Sequence, residues 1–71
     1  MPPPSPRQLD VLGAYVAAGS IKEAALGLAI QPERARSIMS QLYRRIGVHN
    51  AASAVAWCDD HLPGWRDCAV A

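Results

Sequence analysis

Between positions 22 and 45 the chain concentrates eight polar side chains suited to one kind of chemistry: Lys22, Arg34, Arg36, Ser37, Ser40, Gln41, Arg44 and Arg45. Ammonium and guanidinium groups bind phosphate, and a guanidinium also pairs bidentately with the guanine edge in a major groove. Hydroxyl and amide groups pair with other base edges. On a helix Arg36, Ser37, Ser40 and Arg44 fall at i, i+1, i+4 and i+8 and share a face. The expectation is a surface that meets double-stranded DNA, with Arg36, Ser37, Ser40 and Gln41 at base edges and Lys22, Arg34, Arg44 and Arg45 at phosphates. The plain alternative is a solvated helix face. Glu33 works against phosphate binding, although it suits a helix N-terminus or a cytosine amino group.

The charge distribution agrees with its placement. The whole chain carries a net charge of only +1. Residues 22–45 hold five cations (Lys22, Arg34, Arg36, Arg44, Arg45) against Glu23 and Glu33, an excess of three positives. Residues 46–71 hold Arg66 against Asp59, Asp60 and Asp67, an excess of two negatives. A positive field confined to one segment is what phosphate binding requires.

Other chemistry finds little to work with. Cys58 and Cys68 match neither CxxC nor zinc-ligand spacing, so Cys58 reads as a small core residue and Cys68 as a tail thiol; no metal and no cofactor are expected. Asp59, Asp60 and His61 are adjacent and point in different directions on a helix, so they suggest no acid–base pair, and the chain does not read as an enzyme. No apolar run reaches the roughly 18 residues that span a bilayer and no signal peptide is visible, which favours a cytoplasmic protein without membrane contact.

Seventy-one residues make one small domain. Ile and Val are scattered singly, without strand alternation, so the spacing predicts an all-α four-helix bundle. Residues 1–4 read as a proline-rich arm, 5–62 as the domain and 63–71 as a loosely held tail. Ser5-Pro6-Arg7-Gln8 has the form of a capping box, with Pro6 at the first helical position. Leu9, Leu12 and Val16 recur at helical spacing, with Val11 and Tyr15 beside them, and Gly19 ends the first helix at about Ala17 or Ala18. Ser20-Ile21-Lys22-Glu23 is a second box, opening a helix to about Leu28 that buries Ile21, Ala24, Ala25 and Leu28. Ala29-Ile30-Gln31 forms a turn, and Gln31 is a weak cap. The third helix runs from Pro32 to about Ile46 with Ala35, Met39, Leu42 and Ile46 as its apolar stripe, and Gly47 stops it. Asn50 caps a fourth helix, Ala51 to about His61, ended by Leu62-Pro63-Gly64. Residues 20–48 thus have the sequence form of a helix-turn-helix whose second helix enters a DNA groove.

With these residues in order, the chain resembles the LuxR/GerE-type helix-turn-helix domain of bacterial transcription regulators. The similarity runs from Ser5 to about Asp60. Ser5-Pro6-Arg7-Gln8…Val11-Leu12 resembles the family's T-P-R-E…V-L, and Ser20…Lys22-Glu23…Ala25…Leu28 resembles S-N-K-E-I-A…L. Ile30…Pro32 and Arg36 fall where the family has I-S-P and a basic residue. Arg44-Arg45-Ile46-Gly47-Val48 resembles R-K-L-G-V, and Ser53-Ala54-Val55 occupies the E-A-V segment. Arg34-Ala35 and Ile38 replace the usual T-V and His of helix three, Gly19 sits one position closer to helix two, and Ala51 replaces a common Arg. The resemblance implies DNA binding through helix three, supports Lys22 and Arg44 as phosphate contacts, and passes on no target sequence.

The same family dimerises through its last helix. Ala52 and Ala56 would allow close approach and Trp57 would supply area, so these three mark the expected homodimer contact, with packing of Trp57 on its own domain as the alternative. Trp65 either folds back over the bundle, meets a partner or stays exposed. Two further readings stand beside a stand-alone regulator controlled by abundance or a partner. One is an adaptor on the same scaffold that contacts RNA polymerase, a sigma factor or another regulator. The other is a DNA-binding piece of a larger response regulator.

Overall fold

The structure, a computed structural model, describes residues 4–65. Four helices follow in order: α1 (Pro6–Ala18), α2 (Ile21–Leu28), α3 (Pro32–Ile46) and α4 (Ala51–His61). No strand occurs among the described residues. None of these helices is long and apolar enough to cross a membrane.

Each boundary has a local cause. Ser5 accepts from the Gln8 N–H while the Gln8 side chain accepts from the Ser5 N–H, a complete capping box. At α2 only the hydroxyl half of the expected box forms: Ser20 Oγ accepts from the Glu23 N–H at 3.1 Å, while the Glu23 carboxylate stays in solvent near the positive end of the helix. Gln31 makes no side-chain cap, and Pro32 begins α3 at a position that needs no N–H donor. Asn50 Oδ1 accepts from the Ser53 N–H at 2.8 Å to start α4. Gly19 and Gly47 close α1 and α3 in the left-handed conformation. Ala29 does the same after α2 with φ 57°, a conformation that its Cβ disfavours. The turn holds it there: the Ile30 N–H reaches back to the Ala25 carbonyl at 3.0 Å while the Ile30 side chain packs against the core.

α3 is the hub. It packs on α1, on α2 and on α4, and α1 also packs on α2. Ala35, Ile38, Met39, Leu42 and Ile46 are its buried stripe, one residue wider than expected because Ile38 joins it. Val11 and Leu12 of α1, Ala24 and Ala25 of α2, and Ala54 and Cys58 of α4 complete the interior. Two small alanines on α2 let α1 and α3 approach closely. Val16, which shares helical spacing with Leu9 and Leu12, is 38 % exposed and lies outside the core.

Both ends of the described part of the chain are packed. Pro4 is buried, and residues 1–3 lie outside the described part of the chain. At the other end Trp65 is only 3 % exposed and belongs to the core cluster. Its indole Nε1–H donates to Asp59 Oδ1 at 2.8 Å, and its backbone N–H donates to the Leu62 carbonyl. Of the three alternatives left open for Trp65, the structure shows the indole folded back over the bundle. A domain this small has too little interior of its own, and one indole folded back over it adds a large apolar area. Cys68 and the other residues beyond Trp65 lie outside the described part.

Candidate functional site

A 15-residue α3 buried along one side leaves the other side free to face a ligand. Glu33, Arg34, Arg36, Ser37, Ser40, Gln41 and Arg44 are all exposed. At about 100° per residue, Ser37 and Arg44 occupy the middle of this outer surface. Arg36 and Ser40 lie on the flank toward α1 and α2, where both border a cleft. Gln41 lies on the opposite flank with Arg34 and Arg45. Of the eight residues singled out in the sequence, seven lie on α3 and are split: Arg36, Ser37, Ser40 and Arg44 form one strip, Gln41, Arg34 and Arg45 form a second, and Lys22 lies apart on α2.

The cations differ in availability. Arg45 is half-buried and already engaged in an interaction of its own, so it is the least suited of the set to reach a phosphate. Arg34, Arg36 and Arg44 are exposed, and Arg36 and Ser40 make no hydrogen bond or ion pair among the described residues. Lys22 is also exposed, in the first turn of α2, and does not line the cleft. Arg44 and Arg45 sit in the last turn of α3, where positive charge complements the helix dipole, and Glu33 sits in the first turn for the converse reason.

The cleft itself was not visible in the sequence. It measures about 250 Å³ and is lined by Tyr15 from α1, Ile21 from α2, and Arg36, Met39, Ser40 and Tyr43 from α3. The α3 members follow at i, i+3, i+4 and i+7, the spacing of one helical face. That spacing was the available signal: Tyr43 stands seven residues after Arg36. Burial, and then the neighbouring Tyr15, push the Tyr43 phenol above its ordinary range, so it is a neutral donor at physiological pH.

On α4 the three residues expected at a homodimer contact do not share one patch. Ala52 and Ala56 are exposed on the outward face. Trp57 lies about 100° further round, half-buried against the core, with His61 stacked on its ring at a centroid distance of 4.3 Å. His61 Nδ1 also lies 2.9 Å from the Trp57 carbonyl oxygen. Much of the indole is therefore occupied within its own chain. Cys58 is fully buried, and burial, with Asp59 adding to it, pushes its thiol up, so it is a neutral core group. No group of three or more His, Cys, Asp or Glu side chains among the described residues is placed to hold a metal ion.

Comparison with known proteins finds no matching family model, no matching curated protein and no matching solved structure.

Proposed function

We propose that this chain is a sequence-specific DNA-binding transcription regulator of LuxR/GerE helix-turn-helix type, acting as a cytoplasmic homodimer without catalytic activity. The observation that carries the reading is the strip Arg36, Ser37, Ser40 and Arg44, exposed along the outer side of a helix whose inner side is fixed in the core. A major groove about 12 Å wide and 8.5 Å deep admits one α-helix. Two small hydroxyl residues between two arginines allow the helix backbone to come close to the groove floor. Arg36 then reads a guanine, Ser37 and Ser40 meet base edges or phosphates, and Arg44, Lys22 and Arg34 hold the backbone. The same placement matches the basic position of the family that the sequence resembles.

The test is binding to duplex DNA across a salt series, followed by fluorescence anisotropy. The observed affinity falls with a slope near −0.9 per neutralised phosphate. The three cations placed at phosphates in each protomer give a loss of roughly 40-fold between 50 and 200 mM salt for one protomer, and roughly 10³-fold for a dimer. Arg36→Ala lowers discrimination between target and random duplex by about 1–3 kcal/mol, whereas Lys22→Ala weakens both equally. A flat salt response removes the DNA reading. It favours the second reading, a protein-binding adaptor, for which the exposed Glu33 on α3 and Leu26 on α2, 68 % exposed, are the supporting features.

A further inference from the structure

We propose that the cleft between α1, α2 and α3 is a binding site for a small aromatic carboxylate, held by its ring between Tyr15, Ile21, Met39 and Tyr43 and by its carboxylate on Arg36 and Ser40. The walls and the rim have different chemistry. Two phenol rings, an isoleucine and a methionine give a wall that favours a flat, polarisable ring. The rim adds one guanidinium and one hydroxyl, and neither makes a hydrogen bond or ion pair among the described residues. No carboxylate belongs to the lining, so the positive charge of Arg36 is uncompensated within the cleft. An apolar cleft with a few convergent polar groups is the general form of a small-molecule site.

Size and charge select the ligand class. About 250 Å³ lies just below the range that drug-sized molecules fill, so one or two fused rings fit and a nucleotide does not. The uncompensated guanidinium favours an anion, and its planar fork matches a carboxylate with two parallel bonds. The neutral Tyr43 phenol adds no repulsion toward that anion.

The site does not depend on the DNA reading, but its consequence does. Arg36 cannot hold a carboxylate and a guanine edge at once, so an occupied cleft and a base-reading α3 exclude one another. A ligand of this kind acts as a releasing effector, and the domain that reads DNA also senses the ligand.

The test uses the full chain, labelled for amide NMR without DNA, with 2-naphthoate as the probe and 2-naphthalenemethanol as its uncharged counterpart. The expected result is saturable shifts at the amides of Tyr15, Ile21, Met39 and Tyr43, with a dissociation constant on the order of 0.1–1 mM, a range set by fragment-sized ligands. Arg36→Ala weakens 2-naphthoate by about tenfold or more, the loss of a charge-assisted pair. Ser40→Leu, at an exposed helical position, fills the mouth and abolishes the shifts, with far-UV circular dichroism confirming that the variant folds. Absent shifts at millimolar probe, equal binding of the uncharged analogue, or undiminished binding to Arg36→Ala would each overturn the site. In a separate measurement 2-naphthoate displaces a bound duplex while the alcohol does not; duplex binding unchanged at saturating 2-naphthoate would overturn the exclusion. Failure to bind duplex at all is read before any probe is added, and so counts against the DNA reading alone.

Discussion

Trp65 offers the most direct check on how the fold is closed. Its indole is almost fully buried in the core cluster, and its N–H reaches the Asp59 carboxylate at 2.8 Å. Trp65→Ala removes both contributions, and truncation of a buried Trp costs about 3–5 kcal/mol. A 71-residue domain has a total stability of roughly 4–10 kcal/mol. The loss is thus a large share of the whole, and at the lower end the variant is mostly unfolded at 25 °C. Trp65→Phe separates the two contributions. It keeps most of the apolar area and loses the hydrogen bond, at a cost of about 1–2 kcal/mol, or a melting temperature lower by roughly 4–15 °C. Urea unfolding followed by far-UV circular dichroism measures both variants without relying on the indole signal. A Trp65→Ala loss below about 1 kcal/mol would mean that the chain after α4 is loosely held, as the sequence alone suggested, and the packing argued for Trp65 would be wrong.

Ala29→Gly removes the Cβ from a left-handed turn residue and raises stability by up to about 1 kcal/mol, since relief of αL strain outweighs the added freedom of the unfolded chain; calorimetric melting checks the sign. Cys58, whose thiol is pushed up by burial, carries a linked prediction about pH. Its folded pKa lies above the unfolded value, so its contribution to stability is complete below the ordinary thiol range and is lost as pH rises through it toward the raised folded value. In a Cys68→Ser background, urea midpoints fall between about pH 8 and pH 10, and Cys58→Ala flattens that part of the profile. Ala56→Glu tests the proposed homodimer on the outward face of α4: if the contact lies there, sedimentation shows its loss with helicity retained, while an unchanged dimer places the contact elsewhere.

The helices were legible because their signals are local. Ser5, Ser20 and Asn50 each bond the third residue of their helix, and Gly19 and Gly47 each take the left-handed conformation that stops one. The α3 stripe followed from spacing alone. What the sequence left open depends on how the elements pack and on the geometry of the turns between them. Val16 satisfies the helical pattern of α1 but stays exposed, because its burial depends on what packs against that turn and not on α1 alone. Trp65 follows Pro63-Gly64, residues that read as the end of structure, yet its indole joins the core cluster and bonds Asp59. Ala29 carries no sign of a positive φ, because the turn between α2 and α3 imposes it through the Ile30 bond and the packing of the Ile30 side chain.

The candidate site was half legible for a related reason. Which side of α3 faces outward follows from its own pattern, so Arg36, Ser37, Ser40 and Arg44 were found together. Where the edge of that face meets α1 and α2 depends on the packing of three helices, and that determines the environment of Arg36. Viewed on α3 alone, Arg36 is one exposed cation among several. In the folded domain it stands at the rim of an apolar cleft between two tyrosines, while Arg45, similar in sequence, is half-buried and engaged. The two arginines are equal in charge and unequal in availability. The proposed base-reading role and the proposed ligand-holding role therefore converge on Arg36, so a single substitution there is expected to perturb both, whereas Lys22→Ala is expected to perturb only phosphate binding. That difference between two surface cations is where the sequence-level description of a basic helix gives way to a description of a site.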